Sequence, residues 1–130
     1  MKKSREEMIK EYEAKLEAMR PDLETAREAN SKGFSGPMME ALLMEEVNLH
    51  VKILEVKGAI LKEKAHEMGK RAYLNGIRSA PVNDKEFMAF SQSPEVREVY
   101  PPFREYPLSV AWGKGWTAAN LAEPIPGITG

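Results

Sequence analysis

An all-α fold is predicted for this chain, and three features of the sequence predict it. Apolar residues recur at alternating steps of three and four from Ile9 to Ala26. From Met38 to Asn75 no proline interrupts the chain. Beyond Gly76, residues suited to capping stand before short apolar segments and prolines, the punctuation of brief helices joined by turns.

In the first segment Ile9, Tyr12, Leu16, Met19, Leu23 and Ala26 form an a/d seam, with charged residues filling most positions between them. Pro21 interrupts it, and proline removes a helical hydrogen bond and crowds the preceding turn. A kink or a restart is expected there, the kink favoured because the seam keeps its phase. Asn30 to Pro37 reads as a turn in which Gly33 and Gly36 stop the first helix, Ser35 can cap the next and Pro37 suits its first turn. The following helix reaches about Asn75, on the order of 55 Å at 1.5 Å per residue. It carries two apolar stripes. One holds Leu42, Leu49, Ile53, Val56 and Ile60; the other holds Met39, Leu43, Val47, His50, Leu54, Leu61, Ala65, Met68 and Ala72. A single returning helix covers only one stripe. A homo-oligomer interface is therefore expected, assigned to Leu42, Leu49, Ile53, Val56 and Ile60, with a monomeric three-helix arrangement as the alternative.

The C-terminal half is predicted to hold a short helix capped by Asn83 or Asp84, another opened by Ser93-Pro94-Glu95, an extended stretch around Tyr100–Phe103 and Tyr106-Pro107, and a last helix from Pro107 or Leu108 to about Glu123. Ala65, Gly69, Ala72 and Gly76 lie at i, i+4, i+7 and i+11, a strip free of side-chain bulk. The last helix carries Trp112 and Trp116, with Gly115 between them and Ala119 one turn on. Such a strip lets a second helix approach closely, and two indoles supply apolar area to seal the contact.

The pattern Ala65-His66-x-x-Gly69-x-x-Ala72-x-x-x-Gly76, followed by Trp112-x-x-Gly115-Trp116-x-x-Ala119, resembles bacterial ribosome modulation factor. The resemblance covers residues 65 to about 122 and implies a helix–loop–helix module whose core is Ala65, Gly69, Ala72, Gly76, Trp112, Gly115, Trp116 and Ala119. It also implies a protein that binds the small ribosomal subunit and promotes inactive, paired ribosomes. The predicted organisation is a helical hairpin over 1–62, this module over 63–123 and a tail over 124–130.

Charge sets the terms for any such target. The 130 residues carry 19 basic and 20 acidic side chains, a net charge of -1, and residues 63–130 hold eight of each sign. RNA binding therefore needs a local patch. Lys57, Lys64, Arg71 and Arg78 are spaced by sevens, with Lys70 nearby and Lys114 on the last helix. Lys64, Lys70, Arg71, Arg78 and Lys114 are the candidate RNA- or anion-binding set, the alternative being a solvated helix edge. Trp112 and Trp116 can stack bases or form core. Tyr100, Phe103 and Tyr106 can line a pocket or lie as a strap over the helices. His50 is expected in the core or an interface and His66 at the surface, too far apart in azimuth to share a metal.

The absence of cysteine excludes disulfides and thiolate zinc sites and suits a reducing compartment. No apolar run approaches the roughly 20 residues needed to span a bilayer, and the chain opens directly on a charged periodic segment, so the cytoplasm is expected. No serine elbow, zinc-protease helix or phosphate-cradling loop is present, and no cofactor is indicated. The function expected is that of a non-enzymatic binding protein, ribosome- or RNA-associated. The alternative is an oligomeric accessory protein of a phage or mobile element that sequesters a host protein or a small anionic, nucleotide-like ligand.

Overall fold

The structure, a computed structural model, describes residues 3–123. Among them are five α-helices and no strand: α1 (Arg5–Ser31), α2 (Pro37–Leu74), α3 (Lys85–Ser91), α4 (Pro94–Val99) and α5 (Tyr106–Ala122), with a 3-10 turn at Pro81–Asn83. The chain divides into two compact units, Met1–Lys57 and Gly58–Gly130, so the division falls a little before the 62/63 boundary expected from sequence. The tail predicted over 124–130 lies outside the described residues.

The first unit is the expected helical hairpin of α1 and the start of α2. Ser4 caps α1, its Oγ accepting from the Glu7 amide at 3.1 Å. Pro21 stays inside an unbroken helix. Its ring is exposed, so the bond it removes belongs to a turn open to water. The helix ends in a Schellman motif: the amides of Phe34 and Gly33 donate to the carbonyls of Ala29 and Asn30, both at 3.0 Å, with Gly33 at φ +87°. The Glu40 amide donates to the Gly36 carbonyl at 2.9 Å, which puts Gly36, not Ser35, at the cap of α2.

Antiparallel pairing of the hairpin is fixed by Arg27 against Glu46 near the turn and by the Lys52 ammonium 5.8 Å over the Tyr12 ring further away. Leu23 and Ala26 are buried on α1, and Ile9, Tyr12, Leu16 and Met19 half-buried, so the a/d seam is the face that packs. Burial corrects the expected oligomer interface at Leu49 and Ile53. Leu49 and Ile53 are only 1% and 7% exposed, and Leu42, Val56 and Ile60 half-buried, within a single chain. In the first unit only α1 is available to cover Leu49 and Ile53, so these two lie on the hairpin's own seam, whereas Ile60 belongs to the second unit. Exposed instead are Met44, Val47, Val51 and Leu54, at steps of three and four on the opposite side of α2. His50, expected in the core or an interface, is exposed and not in the core, at the rim of a groove beside Leu16, Leu23 and Arg27.

The second unit is organised by the end of α2 and by α5, which run in the same direction. A Cβ placed on Gly69 would lie 1.9 Å from the Trp112 carbonyl oxygen, and one on Gly115 would lie 1.9 Å from that of His66. The two backbones thus touch without intervening side chains, the close approach the small-residue strip predicts. Around the crossing Leu61, Ala65, Ala72, Tyr73, Phe87, Val96, Leu108, Trp112 and Trp116 form one buried cluster, with Met68 and Ala119 packed against it. Gly76 does not belong to the strip. It is exposed, stands at φ +79° with open space where a Cβ would go, and ends α2 in a second Schellman motif, the amides of Ile77 and Gly76 donating to the carbonyls of Ala72 and Tyr73.

Asp84 caps α3 and Ser93 caps α4, as the sequence suggests. The segment after α4 is a turn and not an extended strap. The Arg104 amide donates to the Pro101 carbonyl at 3.0 Å, and Phe103 is held at φ +66°. Tyr106 and Pro107 already belong to α5.

Three stability predictions follow from this geometry. Gly115→Ala forces a methyl group into the His66 backbone and is expected to lower unfolding free energy by about 3 kcal/mol in urea titrations. Gly113→Ala, two residues away with nothing near its Cβ position, is expected to raise it by about 0.5–1 kcal/mol through helix propensity. Phe103→Gly relieves left-handed strain at an exposed site, with an expected gain of about 1 kcal/mol in the same assay.

Candidate functional site

Three of the five candidate cations are already engaged with carboxylates. Lys64 donates to Glu95 at 2.6 Å, Arg71 donates to Glu86 at 3.0 Å, and Lys70 lies 3.6 Å from Glu67. Helices α3 and α4 supply Glu86 and Glu95, so the face carrying the sevens row meets acidic side chains from the connecting segment. Exposed pairs of this kind add little stability, but each locally neutralises its cation. Lys57, the fourth member of the spacing, is also engaged. Arg78, beyond the end of α2, and Lys114, on α5, are exposed and make no ion pair among the described residues.

Lys114 lies at a groove of about 450 Å³ between α2 and the first half of α5. Lys62, Glu63 and His66 form one wall; Tyr106, Pro107, Val110, Ala111 and Lys114 form the other. Local periodicity accounts for this. Tyr106, Val110 and Lys114 follow one another at i, i+4 and i+8, while Leu108, Trp112, Gly115 and Trp116 occupy the buried side of the same helix. Lys62 makes no ion pair among the described residues, whereas Glu63 is itself engaged. Expected at the surface, His66 is half-buried, with its backbone against Gly115. Lys62 was not among the sequence candidates because it falls outside the spacing of sevens. The four-residue spacing from Tyr106 to Lys114 is the signal that marks this face.

The tryptophans are structural. Trp112 Nε1 donates to Asp84 Oδ2 at 2.8 Å, and Trp116 Nε1 donates to the Ile77 carbonyl at 2.7 Å. Tyr73 meets Trp116 edge-on at 5.2 Å between centroids, and its hydroxyl donates to the Glu123 carbonyl at 2.6 Å. Asp84, buried, also accepts the Phe87 amide on Oδ1 at 3.2 Å, so one side chain caps α3 and anchors α5. That second role is invisible in the sequence, where Asp84 reads only as a cap. Tyr100 is half-buried, its hydroxyl 3.3 Å from where a Cβ of Gly58 would sit, and burial pushes its pKa up.

Phe103 and Tyr106, by contrast, face solvent, 97% and 72% exposed. Between them Glu105 accepts a hydrogen bond from Arg97 at 3.1 Å, and that bond holds the Glu105 carboxyl below the usual glutamate range. No helix of the described residues is long and apolar enough to cross a membrane, and no group of three or more His, Asp or Glu among them is placed to hold a metal.

Two predictions arise here. Trp112→Phe keeps an aromatic ring but a smaller one and strips buried Asp84 of one donor, so a loss of at least about 1–3 kcal/mol is expected by chemical denaturation. Because the Glu105 pKa is lowered in the folded chain, its contribution to stability is present above the ordinary value of about 4.3 and is lost as pH falls through the lowered one. Glu105→Gln is therefore expected to flatten the acid limb of a melting-temperature profile.

No protein-family model, curated protein or solved structure matches the chain. These comparisons lend no support to the ribosome modulation factor resemblance, which rests on the quoted residues alone.

Proposed function

We propose that this chain is a non-enzymatic binding protein that associates with structured RNA, the ribosome foremost, through the groove face of its second unit. The observation that carries this reading is the pairing of charges. Among the described residues Lys62 and Lys114 make no ion pair beside the exposed ring of Tyr106, while the other cations of this part of α2 are engaged. Free ammonium groups next to aromatic surface suit phosphates and bases. Arg78 adds a further unpaired cation. Lys64, Lys70 and Arg71 contribute less, since RNA must first displace their glutamates. Such a protein regulates by occupying its site, and a ribosomal target places it in the cytoplasm.

A second reading has its own observation. Met44, Val47, Val51 and Leu54 form an exposed apolar line on α2 at coiled-coil spacing. It suits self-association or capture of a host protein by an accessory protein of a phage or mobile element. Added salt separates the two, because phosphate binding weakens steeply with it and an apolar interface persists.

The deciding experiment is sedimentation of the tagged protein from gently lysed cells through sucrose gradients at low and high salt. Salt-sensitive migration with ribosomal particles is expected, together with its loss in the Lys62→Glu/Lys114→Glu double variant. Each lysine that contacts a phosphate is expected to contribute about one to the slope of log affinity against log salt. Migration at the top of the gradient at both salts, at a size above one chain, would instead favour the apolar interface.

A further inference from the structure

We infer that the Pro101–Arg104 turn is an aromatic finger that stacks on an unpaired base, so that the RNA is single-stranded where this chain touches it, as in a loop, bulge or free end. This rests on the RNA reading above and specifies its substrate.

Phe103 is the starting point. At φ +66° it occupies a turn position that glycine or asparagine fills without strain, and its ring is 97% exposed. The fold gains nothing from the side chain and bears the backbone strain. Elsewhere in the same unit Phe87, Tyr73 and Trp112 are fully buried, so the core does not lack aromatic surface. Strained residues that serve no packing role concentrate where a partner is met.

The turn is also preorganised. Pro101 and Pro102 restrict the backbone ahead of the ring, the Arg104 amide closes the turn, and Arg97 on α4 holds Glu105 just after it. A ring held out in this way loses little conformational freedom on stacking. Tyr106, three residues on, is a further exposed aromatic of this unit and lines the groove with Lys62 and Lys114.

Charge selects the partner. Arg104, beside Phe103, joins Lys62 and Lys114 in making no ion pair among the described residues, while Glu105 is bound by Arg97. Exposed rings, one beside Arg104 and one in the groove of Lys62 and Lys114, complement a polyanion that presents flat apolar faces. A duplex offers phosphates but keeps its bases stacked inside, whereas an unpaired nucleotide offers both.

The test is fluorescence anisotropy at low salt, with the full chain and two labelled RNAs: a hairpin with an unpaired loop, and its stem sequence as a closed duplex. Preference for the loop RNA is expected. Phe103→Ala, which removes an exposed ring and is checked for folding by circular dichroism, should weaken loop binding about 5- to 100-fold and leave duplex binding unchanged. Phe103→Trp should retain loop binding. Lys62→Glu/Lys114→Glu should weaken both RNAs. If Phe103→Ala binds the loop as well as wild type while the lysine variant fails, the finger is wrong and the RNA reading stands. Equal weakening of both RNAs by Phe103→Ala also overturns base stacking. If the wild type binds neither RNA, both proposals fall. Unchanged RNA binding together with loss of a captured protein would make the turn a protein anchor and refute the inference.

Discussion

Where α2 and α5 cross, Gly69 and Gly115 each face a carbonyl of the other helix at a distance no side chain would permit. Much of the second unit depends on that contact. With the axes this close, the two indoles cannot stand between the helices and must lie along their flanks. Trp112 then reaches Asp84, the cap of α3, and Trp116 reaches the Ile77 carbonyl at the end of α2. Both indole donors are satisfied inside an apolar cluster, as buried polar groups require. Each also ties a connecting segment to the crossing, so the close backbone approach at the two glycines organises elements that neither glycine touches.

The same contact orients the surface. Once Leu108, Trp112 and Trp116 face inward, Tyr106, Val110 and Lys114 face out. Helices α3 and α4 bring Glu86 and Glu95 to Arg71 and Lys64, which removes that side of α2 as a bare cationic face. Residues 63–130, whose formal charges cancel, nevertheless present Arg104 and Lys114 with no ion pair among the described residues, and Lys62 just before them is in the same condition. The pattern of pairing, more than the net charge, decides which face a polyanion can use.

The hairpin of the first unit shows how a long helix with two apolar stripes divides its partners. Leu49 and Ile53 take the α1 seam, and Met44, Val47, Val51 and Leu54 remain in water. Both stripes have helical spacing, and hydrophobicity alone barely separates them. Which stripe α1 covers follows from the hairpin turn, where the left-handed Gly33 and the cap at Gly36 set the angle at which the chain re-enters the helix.

The sequence by itself determined the elements: the α1 seam, the length of α2, the capping roles of Asp84 and Ser93, and the small-residue strip that foretold a close approach by the tryptophan helix. Each is written within a few residues, because helical periodicity, caps and glycine conformations act over one or two turns. The tertiary structure alone decided that Gly76 caps and does not pack, that Leu49 and Ile53 face inward, that Phe103 tops a strained turn, and which cations meet carboxylates. Arg71 and Glu86 are 15 residues apart and Lys64 and Glu95 are 31 apart. A helix's period fixes which residues share a face, but not which face a distant segment will cover. That choice belongs to packing, where close backbone contact and burial of the indoles outweigh the small differences among exposed ion pairs.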